Sequence, residues 1–192
     1  PAGVGPVLDI CPMYVTTSSQ YSDGKSVLSG TIAASCGVEA SMASLSRGGN
    51  DEEQEKQLSA ILSRGRRVVT LDNHDGEFRS AALTETLTST NPEFRILGKN
   101  ETRSVPNKSM FLVNGVNTTP SLDLQTRSVF IRRARTTVDP HRKFKHADIV
   151  GYTLNKRGDV ISAGISLIKW AMEQPDGDWK PTHRFKTWDY MV

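Results

Sequence analysis

The spacing of hydrophobic and polar positions divides this chain into short strands and helices that alternate. Apolar or β-branched runs at residues 13–17, 66–72, 110–113 and 129–131 predict strands, and residues 43–46 are a further candidate. Apolar residues recur at helical spacing after residues 27, 51 and 80, which predicts helices between these runs. Because strands alternate with helices, we expect an α/β fold with a mostly parallel central sheet.

Two further patterns complete the predicted order of elements. Residues 94–97 and 102–105 resemble two short strands around the turn Gly98-Lys99-Asn100-Glu101, which is typical of a hairpin. Residues 146–154 and 157–173 are predicted to be helices. The second of these helices has an apolar stripe that consists of Ile161, Ile165, Leu167 and Ile168.

These elements suggest a core followed by a helical segment. We expect residues 1–140 to form the core, after an irregular lead-in that is rich in Gly and Pro. Residues 141–192 are expected to form a C-terminal helical segment. The chain begins at Pro1 and ends in a stretch with aromatic residues, 186–192, so we expect a truncated piece of a longer protein.

Composition narrows the class of protein without indicating a ligand. The 192 residues are 36% hydrophobic and 23% charged, which suits a globular domain with a sizeable core. Apolar runs are too short to span a bilayer or to form a secretory signal, so we expect a cytoplasmic protein that does not use a membrane. Cys11 and Cys36 lack the spacing of a metal site and are expected to be free thiols. A net charge of +3 does not by itself indicate nucleic acid.

A candidate phosphate-binding loop lies between the first predicted strand and the first predicted helix. Residues 19–26 read Ser-Gln-Tyr-Ser-Asp-Gly-Lys-Ser. In such loops the backbone N–H groups and the helix start bind phosphates, the Lys reaches the β- and γ-phosphates, and the Ser hydroxyl meets Mg²⁺. The candidates for binding ATP are Asp23, Gly24, Lys25, Ser26 and Val27, with Ser26 also a candidate for Mg²⁺. The alternative interpretation is a turn followed by an exposed Lys.

A second motif ends the strand predicted at residues 66–72. Asp72 stands at the carboxyl end of that strand, where P-loop enzymes place an acid that holds Mg²⁺. Asn73 follows it, at a position where many such ATPases carry a Glu as general base. The alternative is an ordinary strand that ends in an Asp-Asn turn.

Two more polar residues follow later strands. Asn117, just past the strand at 110–113, is placed to orient an attacking water beside the γ-phosphate. Arg127, before the strand at 129–131, is placed to reach the nucleotide of a neighbouring subunit as an arginine finger. The alternatives are an Asn in a strand-exit turn and a surface Arg.

In this order, the motifs resemble those of AAA+-like P-loop ATPases from phage and mobile-element replication proteins, a group close to superfamily 3 helicases. The resemblance extends over residues 13–192. The segments that carry it, besides the loop, are Leu71-Asp72-Asn73, Ser80-Ala81-Ala82-Leu83, Arg95-Ile96-Leu97-Gly98, Val105-Pro106-Asn107, Asn114-Gly115-Val116-Asn117, Asp123-Leu124-Gln125-Thr126-Arg127 and the helix start at Arg157.

This resemblance implies a three-layer P-loop NTPase sandwich with a C-terminal helical appendage. It also implies an ATP- and Mg²⁺-dependent DNA helicase-like motor that assembles as a homo-oligomeric ring, such as a hexamer. Lys25 and Ser26 would be the Walker A pair, Asp72 the Walker B acid, Asn117 the sensor and Arg127 the finger.

The sequence departs from the family pattern at several of these motifs. Ser19 replaces the first Walker A Gly, Asn114 and Val116 replace a Thr and an Asn, and Thr126 replaces an Arg. The second interpretation is therefore a degenerate P-loop domain that binds nucleotide or DNA as a scaffold without turnover. A third is a plain α/β domain that binds no nucleotide.

The resemblance also indicates where DNA would bind. In superfamily 3 helicases a hairpin between the Walker B and sensor strands projects into the channel of the ring, and residues 94–107 occupy that interval. Lys99, Asn100 and Arg103 are the candidates for contacts with DNA. A second basic cluster is a candidate nucleic-acid track or subunit contact, with a solvated face as the alternative; it comprises Arg132, Arg133, Arg135, Arg142, Lys143 and Lys145, with His141 and His146.

Overall fold

Strands and helices alternate along most of the part of the chain that the computed structural model describes, which is residues 10–38, 41–46, 51–95, 101–134, 143–173 and 185. In chain order the elements are β1 (Met13–Ser18), α1 (Lys25–Ser35), β2 (Ser41–Ala43), α2 (Asp51–Ser63), β3 (Val68–Leu71), β4 (Glu77–Phe78), α3 (Ala81–Thr86), β5 (Glu93–Arg95), β6 (Thr102–Ser104), β7 (Met110–Val116), β8 (Thr119–Pro120), α4 (Leu122–Gln125), β9 (Ser128–Arg133), α5 (Ile149–Asn155) and α6 (Arg157–Met172).

Five of these strands form a central sheet in the order β2-β3-β7-β1-β9. All four neighbouring pairs are parallel. The carboxyl ends of the five strands therefore lie along one edge of the sheet. The predicted α/β fold with a mostly parallel central sheet is confirmed.

Helices cover both faces of this sheet. Alternate side chains of a strand point to opposite faces, so neighbouring residues of β3 and β7 belong to different apolar clusters. One cluster includes Val69 and Phe111 and packs against α2 and α3. The other includes Val68 and Leu112 and packs against α1 through Ala33. Because both faces are covered, β3 and the first half of β7 are buried at every position rather than at alternate ones.

Local sequence signals set the ends of the helices. Gly24 before α1 and Gly37 after it have φ angles of 86° and 72°, in the left-handed region that favours glycine. The hydroxyl of Ser80 accepts a hydrogen bond from the N–H of Leu83 at 3.1 Å and caps α3. Three acidic residues, 51–53, occupy the first turn of α2, where the helix dipole favours negative charge.

The predicted hairpin after α3 is confirmed. Strands β5 and β6 pair antiparallel, with Phe94 opposite Arg103. Phe94 and Val105 anchor the base of the hairpin in the apolar cluster beside α2 and α3. Residues 96–100, which connect the two strands, lie outside the described residues.

Two strand boundaries differ from the prediction. Strand β2 covers Ser41–Ala43 rather than 43–46. The backbone of Ser46 is bonded to side chains of α2 instead of to a strand: its N–H donates to Gln57 and its carbonyl accepts from Gln54, each at 2.8 Å. Strand β7 continues beyond the predicted end at 113, so Asn114 lies inside the sheet, opposite Thr16 of β1. The short elements β4, β8 and α4 were not predicted, since two to four residues carry no periodic pattern.

Helices α5 and α6 lie close to the two ranges predicted to be helical, 146–154 and 157–173. Helix α5 packs against α1, where a side chain added at Gly30 would come within 3.2 Å of Val150. The predicted stripe of α6 is largely exposed in the described chain, with Ile165 49% and Leu167 67% accessible. Residues 186–192 lie outside the described residues. No helix in the described ranges is both long and apolar enough to cross a membrane.

Candidate functional site

Three of the candidate residues, Lys25, Ser26 and Asp72, meet at the carboxyl edge of the sheet, where the neighbouring strands β1 and β7 end. Strand β1 leads into α1 on one face of the sheet. Strand β7 leads towards α4, whose Leu124 packs into the cluster on the opposite face. Connections that leave neighbouring strands on opposite faces open a crevice at the carboxyl ends, which is the usual ligand position in parallel α/β sheets.

Residues 19–24 connect β1 to α1 at this crevice. Ser22 and Gly24 adopt left-handed backbone conformations, with φ angles of 55° and 86°, whereas Ser19 does not. The turn is therefore built without the glycine that the family pattern places at position 19. The N–H groups of residues 25–27, in the first turn of α1, have no acceptor within the helix and border a cleft.

Lys25 is held by the loop that precedes it. Its ammonium lies 2.9 Å from each of three oxygens: the Ser18 hydroxyl, the Gln20 carbonyl and the Asp23 carboxylate. Its side chain is only 10% exposed. All three N–H donors of the ammonium are thus used inside the protein.

Asp23 is the ionic partner of Lys25, and its side chain is 1% exposed. Burial would raise the pKa of this carboxyl, but the Ser18 hydroxyl, the Lys25 ammonium and the charge of Arg133 together hold the pKa below its ordinary value. The second carboxylate oxygen, Oδ2, is buried and has no hydrogen-bond partner among the described residues. The sequence prediction gave Asp23 a role through its backbone and missed this use of its side chain.

Ser26 and Asp72 come together although 46 positions separate them in the chain. The Ser26 hydroxyl donates to Asp72 Oδ2 at 3.3 Å, so the start of α1 touches the residue that follows β3. Both residues and Lys25 line an open cleft of about 380 Å³. Val27, a further candidate, also lines this cleft.

The segment after β3 supplies the opposite wall of the cleft. Asn73, with a φ angle of 64°, and Asp75 line it. Asp75 accepts hydrogen bonds from the Val116 N–H at 2.8 Å and the Tyr21 hydroxyl at 3.0 Å, and thereby ties this wall to β7 and to the loop.

Two residues inside β7 hold the neighbouring elements of the cleft in position. The sequence prediction missed this role. The buried Asn114 accepts a hydrogen bond from the Ser29 hydroxyl at 3.1 Å and so links β7 to α1. A side chain at Gly115 would lie 1.9 Å from the His74 carbonyl oxygen, so only glycine lets β7 pass so close to the segment after β3. The sequence signal for this role would have been the polar Asn114 followed by Gly115, directly after the apolar run at 110–113.

Asn117 lies next to the start of the loop but in a different cleft from Lys25. Its N–H donates to the Ser18 carbonyl at 2.9 Å, and its φ angle is 49°. It lines a second cleft, of about 540 Å³, together with Ser19, Arg132 and Arg133. The structure thus brings Asn117 near the candidate loop without placing it in the same cleft as Asp72.

Arg127 lies at the opposite edge of the sheet from Lys25. It precedes β9, and its carbonyl accepts a hydrogen bond from the N–H of Met13 at the start of β1. Its guanidinium donates to the Asp123 carbonyl at 2.7 Å, and its side chain is 12% exposed. Lys25 follows the other end of β1, about 17 Å away by the length of the strand. Within one chain, Arg127 is not brought to the cleft.

The candidates for binding DNA are described only in part. Arg103 is exposed on β6 of the hairpin, whereas Lys99 and Asn100 lie outside the described residues. Three members of the second basic cluster also lie outside the described residues: Arg135, His141 and Arg142. The described members of that cluster differ in their surroundings: Arg132 lies 5.0 Å from the ring centre of Phe130, and His146 stacks on Tyr152 at 3.9 Å.

No group of three or more His, Cys, Asp or Glu suited to a metal is found in the described ranges. Cys11 and Cys36 form no disulfide within the described residues, and burial raises the pKa of Cys11 to about 11. His74 is buried, with its ring 4.5 Å from that of Phe78.

Comparisons with known proteins give a limited likeness. No protein-family model matches the chain, and no curated protein matches it at a significant level. Among solved structures it is similar to two A-form apo structures of the NrS-1 C-terminal region, with TM-scores of 0.47 and 0.49 and 12% identity in each case, over 78% and 83% of this chain. A ligand-bound structure of JCV helicase gives a TM-score of 0.38 and 17% identity over 86% of this chain.

This chain spans 34% and 37% of the two NrS-1 chains and 47% of the JCV helicase chain.

Proposed function

We propose that this chain is the ATP-binding and ATP-hydrolysing core of a DNA helicase-like replication motor. The observation that carries the proposal is the meeting of Lys25, Ser26 and Asp72 in one cleft, with the Ser26 hydroxyl 3.3 Å from the Asp72 carboxylate. These residues belong to a strand-loop-helix unit and to a strand end at the crevice where parallel α/β sheets bind ligands. A turn with a solvent-exposed lysine would not assemble this group.

The residues of the cleft fit Mg²⁺ and a nucleotide phosphate. A hydroxyl and one carboxylate are hard oxygen ligands, and Mg²⁺ is usually bound by one or two carboxylates together with phosphates and waters. Ser26 and Asp72 would hold the metal, which when bound neutralises charge on the phosphates. The N–H groups of residues 25–27 begin the 11-residue helix α1 and, with the Lys25 cation, suit an anion.

The other candidate residues complete the proposed catalytic site. Asp23, Gly24 and Val27 contribute backbone to the phosphate cradle. Asn117 would orient the attacking water from its position beside Ser18, which requires that the bound nucleotide extends from the first cleft towards the second. Arg127 supplies charge to the transition state of a neighbouring copy, which its place on the far edge of the sheet favours over a role in its own cleft.

That role for Arg127 requires a homo-oligomeric ring, such as a hexamer. DNA would then contact the hairpin of β5 and β6 through Arg103 together with Lys99 and Asn100. These contacts would be made mainly to phosphates and would weaken as salt rises.

The test is calorimetric titration with Mg²⁺-ATP, with variants chosen for the contacts of the loop. Lys25→Ala alone would leave the buried Asp23 charge unpaired and risks unfolding the loop. The informative pair is therefore Asp23→Asn and the double variant Asp23→Asn/Lys25→Met. We expect the first to bind Mg²⁺-ATP and the second to lose binding at least about a hundredfold, since Met keeps the stem without the charge. Equal binding by the two variants would contradict the proposal.

A second candidate function is nucleotide binding without turnover. Asn73 lines the cleft at the position where many P-loop ATPases carry a Glu as general base, and an amide cannot accept the proton of water. Phosphate release, measured with and without single-stranded DNA, separates the two functions. Asp72→Asn serves as the control that removes the metal-binding carboxylate.

A further inference from the structure

The phosphate loop contains an anion of its own. Asp23 lies two residues before Lys25 and pairs with it at 2.9 Å, in a contact from which solvent is almost excluded. A nucleotide phosphate that is to bind Lys25 must therefore compete with this carboxylate. A phosphate that takes Lys25 leaves the Asp23 carboxylate buried and without its cation, which is unfavourable for a buried charge.

A second cation is already close to Asp23. Arg133 ends β9 and lies opposite Ser18, the last residue of β1, in the register of the sheet. One of its terminal nitrogens, Nη1, would lie 3.2 Å from a side-chain carbon placed on Gly24, the residue next to Asp23. No salt bridge joins Arg133 to an acid in the described part of the chain.

The Asp23 carboxylate and the Arg133 guanidinium are complementary in charge and in hydrogen bonding. Asp23 Oδ2 is buried and accepts no hydrogen bond from the described residues, and Arg133 is a nearby guanidinium with five N–H donors. The contact between Asp23 and Lys25 uses only the other oxygen, Oδ1. The charge of Arg133 already acts on Asp23, so a reorientation of the Arg133 side chain towards the loop would allow it to donate to Oδ2.

We propose that Asp23 is a counter-ion that moves between two cations: it holds Lys25 in the empty loop and passes to Arg133 when a phosphate takes Lys25. Arg133 is then a positioning residue that acts through Asp23 and does not touch the nucleotide. The inference rests on the proposed function, because it takes the competing anion to be a nucleotide phosphate. In this proposal, Asp23 weakens the affinity for nucleotide because it competes for Lys25, and Arg133 reduces that loss of affinity because it takes over the carboxylate.

The first test is a double-variant cycle of Mg²⁺-ATP binding with Asp23→Asn, Arg133→Gln and the combination of the two. Asp23→Asn should tighten binding roughly tenfold, because the competing charge is gone. Arg133→Gln should weaken binding roughly fivefold in the wild-type background and leave it unchanged in the Asp23→Asn background. Arg132→Gln is the matched control, since its guanidinium lies over Phe130, and it should have no effect in either background.

Two results of this cycle would overturn the proposal. An equal loss from Arg133→Gln in both backgrounds would mean that Arg133 contacts the nucleotide directly. Binding that is unchanged or weaker in Asp23→Asn would mean that the carboxylate does not compete with phosphate.

A second measurement needs no nucleotide and separates this inference from the proposed function. Acylation of Lys25 by an activated ester, followed by mass spectrometry, should rise several-fold in Asp23→Asn, with the exposed Lys108 as internal reference. Unchanged acylation would show that Asp23 does not hold Lys25 and would overturn the inference. If acylation rises but no variant binds Mg²⁺-ATP, the ion pair stands, whereas both the proposed function and the transfer to Arg133 fail.

Discussion

Asp23 and Lys25 form an ion pair that is almost completely buried, although Asp23 belongs to the loop between β1 and α1 and Lys25 is the first residue of α1. A pair of this kind makes the loop sensitive to any change in charge, because breaking it leaves one charge without compensation. Its neighbours Asn114 and Gly115 act in a different way, through a hydrogen bond and through the space that a missing side chain leaves. At the scale of residues, charge pairing and close packing both hold the loop in place.

The lowered pKa of Asp23 predicts a pH-dependent contribution to stability. Because the folded protein favours the charged carboxylate, this contribution is present above the ordinary pKa of 3.8 and is lost as the pH falls below it through the folded-state value. We expect wild type to exceed Asp23→Asn in unfolding free energy by about 2 kcal/mol at pH 7. Urea unfolding at pH 7 and near pH 3 would check this, and a difference that does not shrink in acid would contradict it.

Gly115 should tolerate no side chain. In Gly115→Ala the new methyl group would collide with the His74 backbone, so we expect a loss of about 3 kcal/mol in unfolding free energy. Gly164→Ala is the matched control: it lies within α6, has open space around it, and should gain about 0.5 kcal/mol from helix propensity. Chemical denaturation of both variants is the measurement, and similar effects in the two would argue against the close contact.

The hairpin of β5 and β6 is the element that carries the proposed DNA contacts. Its base is fixed in the core by Phe94 and Val105, while Arg103 and Arg95 are exposed on opposite strands. The register pairs Arg103 with Phe94 and Arg95 with Thr102, so the two arginines point to opposite faces of the hairpin. Arg103 shares the face of the buried Phe94 but is itself exposed, whereas Arg95 lies on the face that points away from the core.

The faces of the hairpin predict different effects on DNA binding. Arg103→Ala should weaken binding of single-stranded DNA and reduce the slope of log affinity against log salt by about 0.7, the value for one lost phosphate contact. Arg95→Ala removes the same charge from the other face and should have a smaller effect. Fluorescence anisotropy across a range of salt concentrations would measure both, and equal losses would indicate a general effect of charge.

At the scale of the whole molecule, the sheet separates two of the proposed catalytic groups. Lys25 follows the carboxyl end of β1, and Arg127 lies beside its amino end. Strand β1 is a rigid part of the sheet and keeps the two groups apart, so one chain cannot bring both of them to one nucleotide. If Arg127 acts in catalysis, it acts on a neighbouring copy.

This separation predicts that two inactive variants restore activity when mixed. Asp23→Asn/Lys25→Met and Arg127→Ala should each lose turnover. An equal mixture should recover about a quarter of the wild-type rate, because half of the sites keep Lys25 and half of their neighbours keep Arg127. Phosphate release at rising protein concentration is the measurement. Full activity of Arg127→Ala alone would rule out the arginine finger.

Much of the fold could be predicted because its signals are local. Runs of mainly apolar residues marked the strands that are covered on both faces, and the Gly-Lys-Ser sequence at 24–26 marked the start of α1. The ends of β2 and β7 could not be predicted in this way. Asn114 looked like a strand exit because it is polar, and only its partner Ser29 on α1 shows why it is buried.

The sequence by itself determined which chemical groups this protein has and their order: a cation and a hydroxyl at a helix start, and an acid after a buried strand. Only the tertiary structure decided which of them meet. The parallel sheet brings Asp72 to Ser26, places Arg133 beside the loop and puts Arg127 at the far edge. Local patterns cannot give such contacts, because they depend on strand order and on the direction of each connection, which arise from packing the whole chain.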